Sequence, residues 1–279
     1  MDNRVKTFIL LAGLTVLVVL IGNALGGRSG MQIALIFAVA MNFISYWYSD
    51  KIVLRMSGAR EVSQSEAPEL HRIVEELSRA ADIPKPRVYV MQTDNPNAFA
   101  TGRNPEHGVV AVTTGILRLL NATELRGVLA HEIAHIKNRD ILIQSVASVL
   151  GAAITYMAYM GMFGGLGGDD EEGGLGGLGA VLVMILGPMA AMLIQMAISR
   201  SREYVADETG AKLCQNPESL ARALEKLAYG VQRAPMQANP ATEPLYIVNP
   251  LTGGGLQSWF STHPPIEERV ARLRAMRSY

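Results

Sequence analysis

The sequence predicts a mainly α-helical membrane protein carrying a small α+β unit at one membrane surface, and three observations support this. Apolar residues make up 49% of the chain and the formal net charge is zero, a balance ordinary for a protein with membrane spans and unusual for a soluble domain. Four apolar runs approach bilayer length and fall into two pairs, each pair around a turn rich in glycine. Between the pairs lie the β-rich runs and amphipathic helical patterns of a compact fold.

In chain order, residues 8–25 and 31–47 form the first apolar pair. A second span follows the first almost at once, so the pair reads as an uncleaved anchor hairpin rather than a signal peptide. Residues 66–81 carry Leu70, Ile73, Val74 and Leu77 at helical spacing, and Ile83-Pro84-Lys85-Pro86 stops that helix. Residues 87–91 and 109–113 are β-rich, with Asn97-Ala98-Phe99-Ala100 between them as a short third strand. His71 and His107 read as surface histidines.

Asn121-Ala122-Thr123-Glu124 resembles a capping box, and the helix it opens has Leu125, Val128, Leu129, Ile133 and Ile136 to bury. The second apolar pair, 141–163 and 178–198, flanks a loop whose Asp169-Asp170-Glu171-Glu172 reads as solvated. Residues 199–207 continue as a helix, Asn216-Pro217-Glu218 starts another, and Pro265 opens a last one reaching Met276. Residues 230–259 read as a flap near a cleft. The expected division is a membrane hairpin over 1–50, a catalytic α+β region over 51–140, a second hairpin over 141–198 and a helical region over 199–279.

Basic residues orient the spans. Arg4 and Lys6 precede the first, Lys51, Arg55 and Arg60 follow the second, Lys137 and Arg139 precede the third, and Arg200 and Arg202 follow the fourth. The turns within each pair hold only Arg28 and the four acids, so both termini and the central region are expected in the cytosol. Nucleic acid is not expected as a partner of a neutral chain, whereas the lipid bilayer is. A lone Cys214 excludes an intrachain disulfide and reads as a buried structural thiol.

The chemistry lies in His131-Glu132-Ile133-Ala134-His135. Histidines at i and i+4 share a helix face and can hold one zinc ion, while Glu132, offset around the helix, can take a proton from water there. A catalytic zinc takes three protein ligands, and the third must come from elsewhere because position 141 is isoleucine rather than a further histidine. The returning second hairpin brings Glu203 and Asp207, one turn apart, to the same membrane surface. Glu203 then completes a His2Glu set and Asp207 accepts a ligand histidine's second ring N–H. The alternative is that both acids pair with Arg200 and Arg202 on an exposed helix.

The motif at 131–135, the run Ser-Arg-Ser-Arg-Glu-Tyr-Val-Ala-Asp at 199–207, Asn97-Ala98-Phe99-Ala100 and Ser-Thr-His-Pro-Pro at 261–265 together resemble the HtpX-type membrane zinc metalloproteases, relatives of the CAAX prenyl endopeptidases. The resemblance implies a zincin-like (gluzincin) catalytic domain with zinc on His131, His135 and Glu203, Glu132 as general base and Asp207 behind a ligand. It also implies that Asn97, Ala98, Phe99 and Ala100 form an edge strand holding an extended polypeptide substrate. It makes His263 and Arg269 candidates for stabilising a developing oxyanion; on the residues alone, His263 marks a helix start and Arg269 is a solvated partner of Glu267 or Glu268.

The expected activity is zinc-dependent cleavage of misfolded or damaged membrane proteins at the cytosolic face of the bacterial inner membrane, as part of quality control under stress. Other classes make different demands. A non-catalytic zinc scaffold needs a further Cys or His near the ion, and a transporter needs ionisable residues within its spans, which the four runs lack. Prenyl-protein processing fits a chain with more spans.

Overall fold

The computed structural model describes residues 3–150, 200–234, 236, 245–250 and 264–276. The first apolar pair is a helical run, α1 (Asn3–Met56), that reverses at Gly27, whose φ of 56° suits a residue without a side chain. In a straight helix, positions 31 residues apart would lie about 46 Å from each other. Instead Asn42 donates to the Leu11 carbonyl at 3.3 Å and to the Thr15 hydroxyl at 2.8 Å. At the reversal Gly22 and Gly30 pack backbone to backbone, with no room for a side chain at either.

Among the described residues, one helix is long and apolar enough to cross a membrane, the arm Gly27–Met56; Thr7–Leu20 and Ile141–Leu150 are shorter apolar helices. The arms expose Phe8, Ile33, Ile36, Phe43 and other large apolar side chains, which suits lipid rather than water. Tyr46, Trp47 and Tyr48 cluster near the C-terminal end of the second arm, with Lys51 over Tyr48 and Arg103 over Trp47, an aromatic and basic composition that suits a membrane interface. The rest of the second apolar pair, 151–198, lies outside the described residues, as does the acidic loop.

A four-stranded sheet follows, in the order β1-β2-β4-β3. β2 (Arg87–Met91) and β4 (Val109–Thr113) form its parallel centre and match the two β-rich runs. β3 (Ala98–Thr101) pairs antiparallel with β4 and forms one edge, one residue later than the sequence suggests. The other edge is β1 (Arg60–Glu61), too short to leave a sequence pattern. The helix α2 (Pro68–Ala81) starts two residues later than expected because Glu66 is committed to the preceding turn, where its carboxylate accepts from Ser63 N at 2.7 Å. Pro68 then opens the helix, where its missing N–H costs nothing.

A short helix, α3 (Thr114–Leu119), capped by Thr113, leads into α4 (Ala122–Lys137). The capping box is present: Glu124 N donates to Asn121 Oδ1 and Asn121 N to Glu124 Oε2, each at 3.0 Å. The five predicted apolar positions of α4 are buried, but so are Ala130, His131, Glu132, Ala134 and His135. The helix is enclosed because α2, β3 and two later helices surround it. Those helices are α6 (Arg200–Cys214) and α7 (Pro217–Arg233), with α5 (Ile141–Leu150) preceding them and α8 (Ile266–Ala275) closing the chain.

Two glycines set how close the helices come. A side chain at Gly210 of α6 would sit 2.8 Å from His131 N, and one at Gly127 of α4 would sit 2.7 Å from Leu220 N of α7. α5 packs Leu142, Ile143, Val146, Ala147 and Leu150 against Leu11, Leu14 and Met41 of α1, so the first hairpin is joined to the segment leaving the α4 C-terminus. Cys214 is half-buried and lies 3.6 Å from the Ala211 carbonyl.

Candidate metal centre

His131, Glu132 and His135 come from the middle of α4, and Glu203 and Asp207 from the facing side of α6. Spacings of four and three residues put Glu203, Asp207 and Gly210 in one row, and the bare Gly210 lets that row approach α4. The His131 and His135 Nε2 atoms are 3.0 Å apart, and the Glu203 carboxylate lies 3.6 Å from the first and 3.5 Å from the second. All three residues are buried, and their donor atoms lie within 4.8 Å of one another.

These donors fit zinc. Ligands about 2.0–2.1 Å from a tetrahedral ion lie about 3.3 Å from each other, close to the spacings present. The ring orientations agree. His131 Nδ1 is 2.9 Å from Asp207 and His135 Nδ1 is 3.0 Å from Asp140. A carboxylate can only accept, so each Nδ1 carries the proton and each Nε2 of a neutral ring presents a lone pair to the other. A cation between them resolves that opposition. Burial opposes positive charge on His135, but Asp140 and Glu203 outweigh it and push the ring up to about 10.

Glu132 is buried beside this set, and its Oε1 has no hydrogen-bond partner among the described residues. Burial raises its carboxyl above the usual carboxylate range, against the pull of both histidines. Arg269, from α8, is fully buried and grips Asp207 with two bonds, Nε to Oδ2 at 2.8 Å and Nη2 to Oδ1 at 2.7 Å. Burial raises the Asp207 carboxyl, but Arg269 and His131 overcome this and hold it low. The third arm of Arg269, Nη1, donates to the Ile247 carbonyl at 3.0 Å and lies 3.8 Å from Glu203.

The structure thus brings together His131, Glu132, His135, Glu203, Asp207 and Arg269, while His263 lies outside the described residues. The alternative of solvated ion pairs does not describe these side chains: Glu203 and Asp207 are buried, and Arg269 turns inward to Asp207. Asp140 was not anticipated. It sits just past α4, where Arg139 at φ 58° turns the chain back so that a residue outside the helix reaches His135. Arg202 is also buried, its guanidinium nitrogens without hydrogen-bond partners among the described residues, as is Asp140 Oδ1. Asn97 and β3 border the site, and their outer edge is paired with residues 247 and 248.

The model of peptidase family M48 matches residues 64–277, most of the chain and every group of this centre. The chain belongs to peptidase family M48. Similar M48-type proteins include a protease HtpX homolog of Syntrophobacter fumaroxidans, 56% identical over 99% of this chain and 100% of that one. Another, from Persephonella marina, is 58% identical over 98% of this chain and 97% of its own. The fold resembles the crystal structure of S. mikatae Ste24p, with a TM-score of 0.54 at 17% identity over 97% of this chain; the chain spans 64% of that protein's length. As an M48 member it is a membrane-bound metalloendopeptidase, and the family's metal requirement meets a His-His-Glu set able to bind one.

Proposed function

We propose that this M48 peptidase is a zinc endopeptidase that cuts misfolded or damaged membrane proteins at the cytosolic face of the bacterial inner membrane. The observation that carries the reading is the convergence of three buried donors from α4 and α6 beside a buried carboxylate, one oxygen of which has no hydrogen-bond partner among the described residues. His131, His135 and Glu203 would hold the zinc. When bound, zinc supplies Lewis acidity that makes water a nucleophile near neutral pH and polarises a peptide carbonyl.

The remaining work falls to the chain. Glu132 accepts the proton of the attacking water and returns it to the departing amine. Asp207 and Asp140 fix the two imidazoles in the tautomer that leaves Nε2 free, and Arg269 holds Asp207 in place. The edge of β3 offers backbone groups to an extended polypeptide, so selectivity rests more on backbone than on side chains. His263 and Arg269 remain candidates for stabilising charge on the attacked carbonyl oxygen.

The membrane arrangement belongs to the same proposal: two hairpins, four spans, both termini and the site in the cytosol, and the four-part division stated above. The exposed apolar arms of α1, the aromatic and basic residues at their inner end, and the packing of α5 on α1 support it. Membrane proteins with loose cytosolic ends are the substrates such a site would meet first.

The test uses purified, detergent-solubilised protein loaded with zinc. Glu132→Gln should bind one zinc per chain yet hydrolyse casein about 10²–10⁴-fold more slowly, and Glu203→Ala should lose zinc. Full activity in the first variant, or unchanged zinc binding in the second, contradicts the assignment.

A further inference from the structure

The edge of β3 is already in use. Asn97 O accepts from Thr113 N on β4, so the next carbonyl along, that of Ala98, points to the free side of the sheet. There it accepts from Ile247 N at 3.0 Å. One step further, the Asn97 side chain brackets the backbone of Val248, donating from Nδ2 to its carbonyl at 2.7 Å and accepting from its N–H at 3.4 Å. One backbone bond and the Asn97 bracket thus seat the segment on the β3 edge, although its own backbone is a short 3-10 turn followed by bends rather than a strand.

The carbonyl of Ile247 completes the pattern, because it accepts from Arg269 Nη1 at 3.0 Å, the arm nearest Glu203. One residue of the chain therefore has its N–H on the substrate edge and its C=O on an arginine that also holds the aspartate behind His131. The side chains are sequestered as well: Leu245, Tyr246, Ile247 and Val248 are all buried, with Tyr246 edge-on to Phe99 at 5.4 Å. Burial pushes the Tyr246 hydroxyl up to about 12, so it stays neutral in this setting. Meanwhile His131, Glu132, His135 and Glu203 are almost wholly closed to solvent.

We infer that residues 245–248 form an internal strap: it occupies the backbone-binding groups of β3, Asn97 and Arg269 that an extended peptide would use, and must leave before a substrate strand enters. This rests on the proposed peptidase reading. Strand addition is an exchange, since a substrate's backbone bonds replace those of the strap, so an unfolded chain with several extended residues competes well while a folded loop does not. The resting enzyme is thereby kept from cutting intact neighbours. No cofactor or modification is required for release, only a competing strand.

The experiment uses zinc-loaded, full-length Glu132→Gln in detergent, so that bound polypeptide is not consumed, with β-casein as the unfolded probe. Binding is read by co-elution and the strap by hydrogen exchange of the amides of residues 245–248. Saturating casein should raise their exchange by about tenfold or more, as a displaced segment loses its protection. Unchanged protection with casein bound overturns the strap while leaving the peptidase reading intact. Failure of casein to bind, together with failure of the wild type to cut it, removes both.

A second arm tests the resting state. Ile247→Pro deletes the N–H that meets Ala98, and a zinc-replete variant should show kcat/KM for casein raised several-fold, chiefly through KM. A zinc-replete variant with unaltered or lowered kcat/KM would argue that the segment is a permanent wall of the cleft. If the proline variant does not fold, the exchange measurement still decides.

Discussion

Each histidine of the centre is backed by its own aspartate, and the two aspartates are held differently. Asp207 is pinned by the two-bond grip of Arg269, while Asp140 presents one oxygen to His135 and leaves the other without a partner among the described residues. Replacing either aspartate by asparagine should weaken zinc binding, by about 10–100-fold, because the amide can present its NH2 to Nδ1 and select the wrong tautomer. Asp207→Asn should also lower thermal stability, since it takes the closest carboxylate charge from the buried Arg269, a loss of up to about 3–5 kcal/mol. Chelator competition and melting curves would check both, and equal zinc affinity in all three proteins would refute the orienting role. Asp207 was legible in the sequence from its spacing to Glu203. Asp140 was not, because its contact depends on a backbone reversal at Arg139 that helix periodicity does not predict.

At the level of elements, the decisive contact is α4 against α6. Periodicity and a capping box identify α4 with its apolar positions, yet they describe a one-sided helix, and the structure buries its polar side too. The reason is Gly210, which lets α6 lie against His131 and bring Glu203 within ligand distance. Gly210→Ala should therefore push the helices apart, costing about 1–3 kcal/mol in stability. It should reduce zinc affinity without removing any ligand; a variant that binds zinc as tightly as wild type would show that the close approach is dispensable. The strands at 87–91 and 109–113 were readable because each is a five-residue run rich in valine with a tyrosine or threonine beside it, whereas β1, with two residues, exists only through pairing with β2.

Taken whole, the molecule joins the apolar hairpin of α1 to the metal centre through α5, which leaves the α4 C-terminus and packs on α1. The hairpin was visible in the sequence as two apolar runs around a glycine turn, and the reversal at Gly27 brings residues 11 and 42 together. The proposed four-span arrangement makes a clear demand on labelling in sealed cells, with Cys214 replaced by serine. A cysteine in the loop at 165–175 should react with an impermeant maleimide from outside, and one at Gly58 or Glu106 should react only after lysis. Labelling of the loop only after lysis would mean that the second pair does not cross.

The sequence by itself determined which chemistry this chain can perform: residue types at helical spacing named the two histidines, the glutamate between them and a carboxylate pair on a later helix, because those relations are local and periodic. The tertiary structure decided what stands behind and in front of them. Asp140 behind His135, Arg269 behind Asp207 and Ile247 along the edge of β3 are contacts between segments distant in sequence or joined by a reversal. Such contacts are fixed by packing, which places α8 and the strap where no pattern in their own residues points. Ile247 is an ordinary apolar residue in the sequence; its backbone acquires a role only where β3 leaves a carbonyl unpaired.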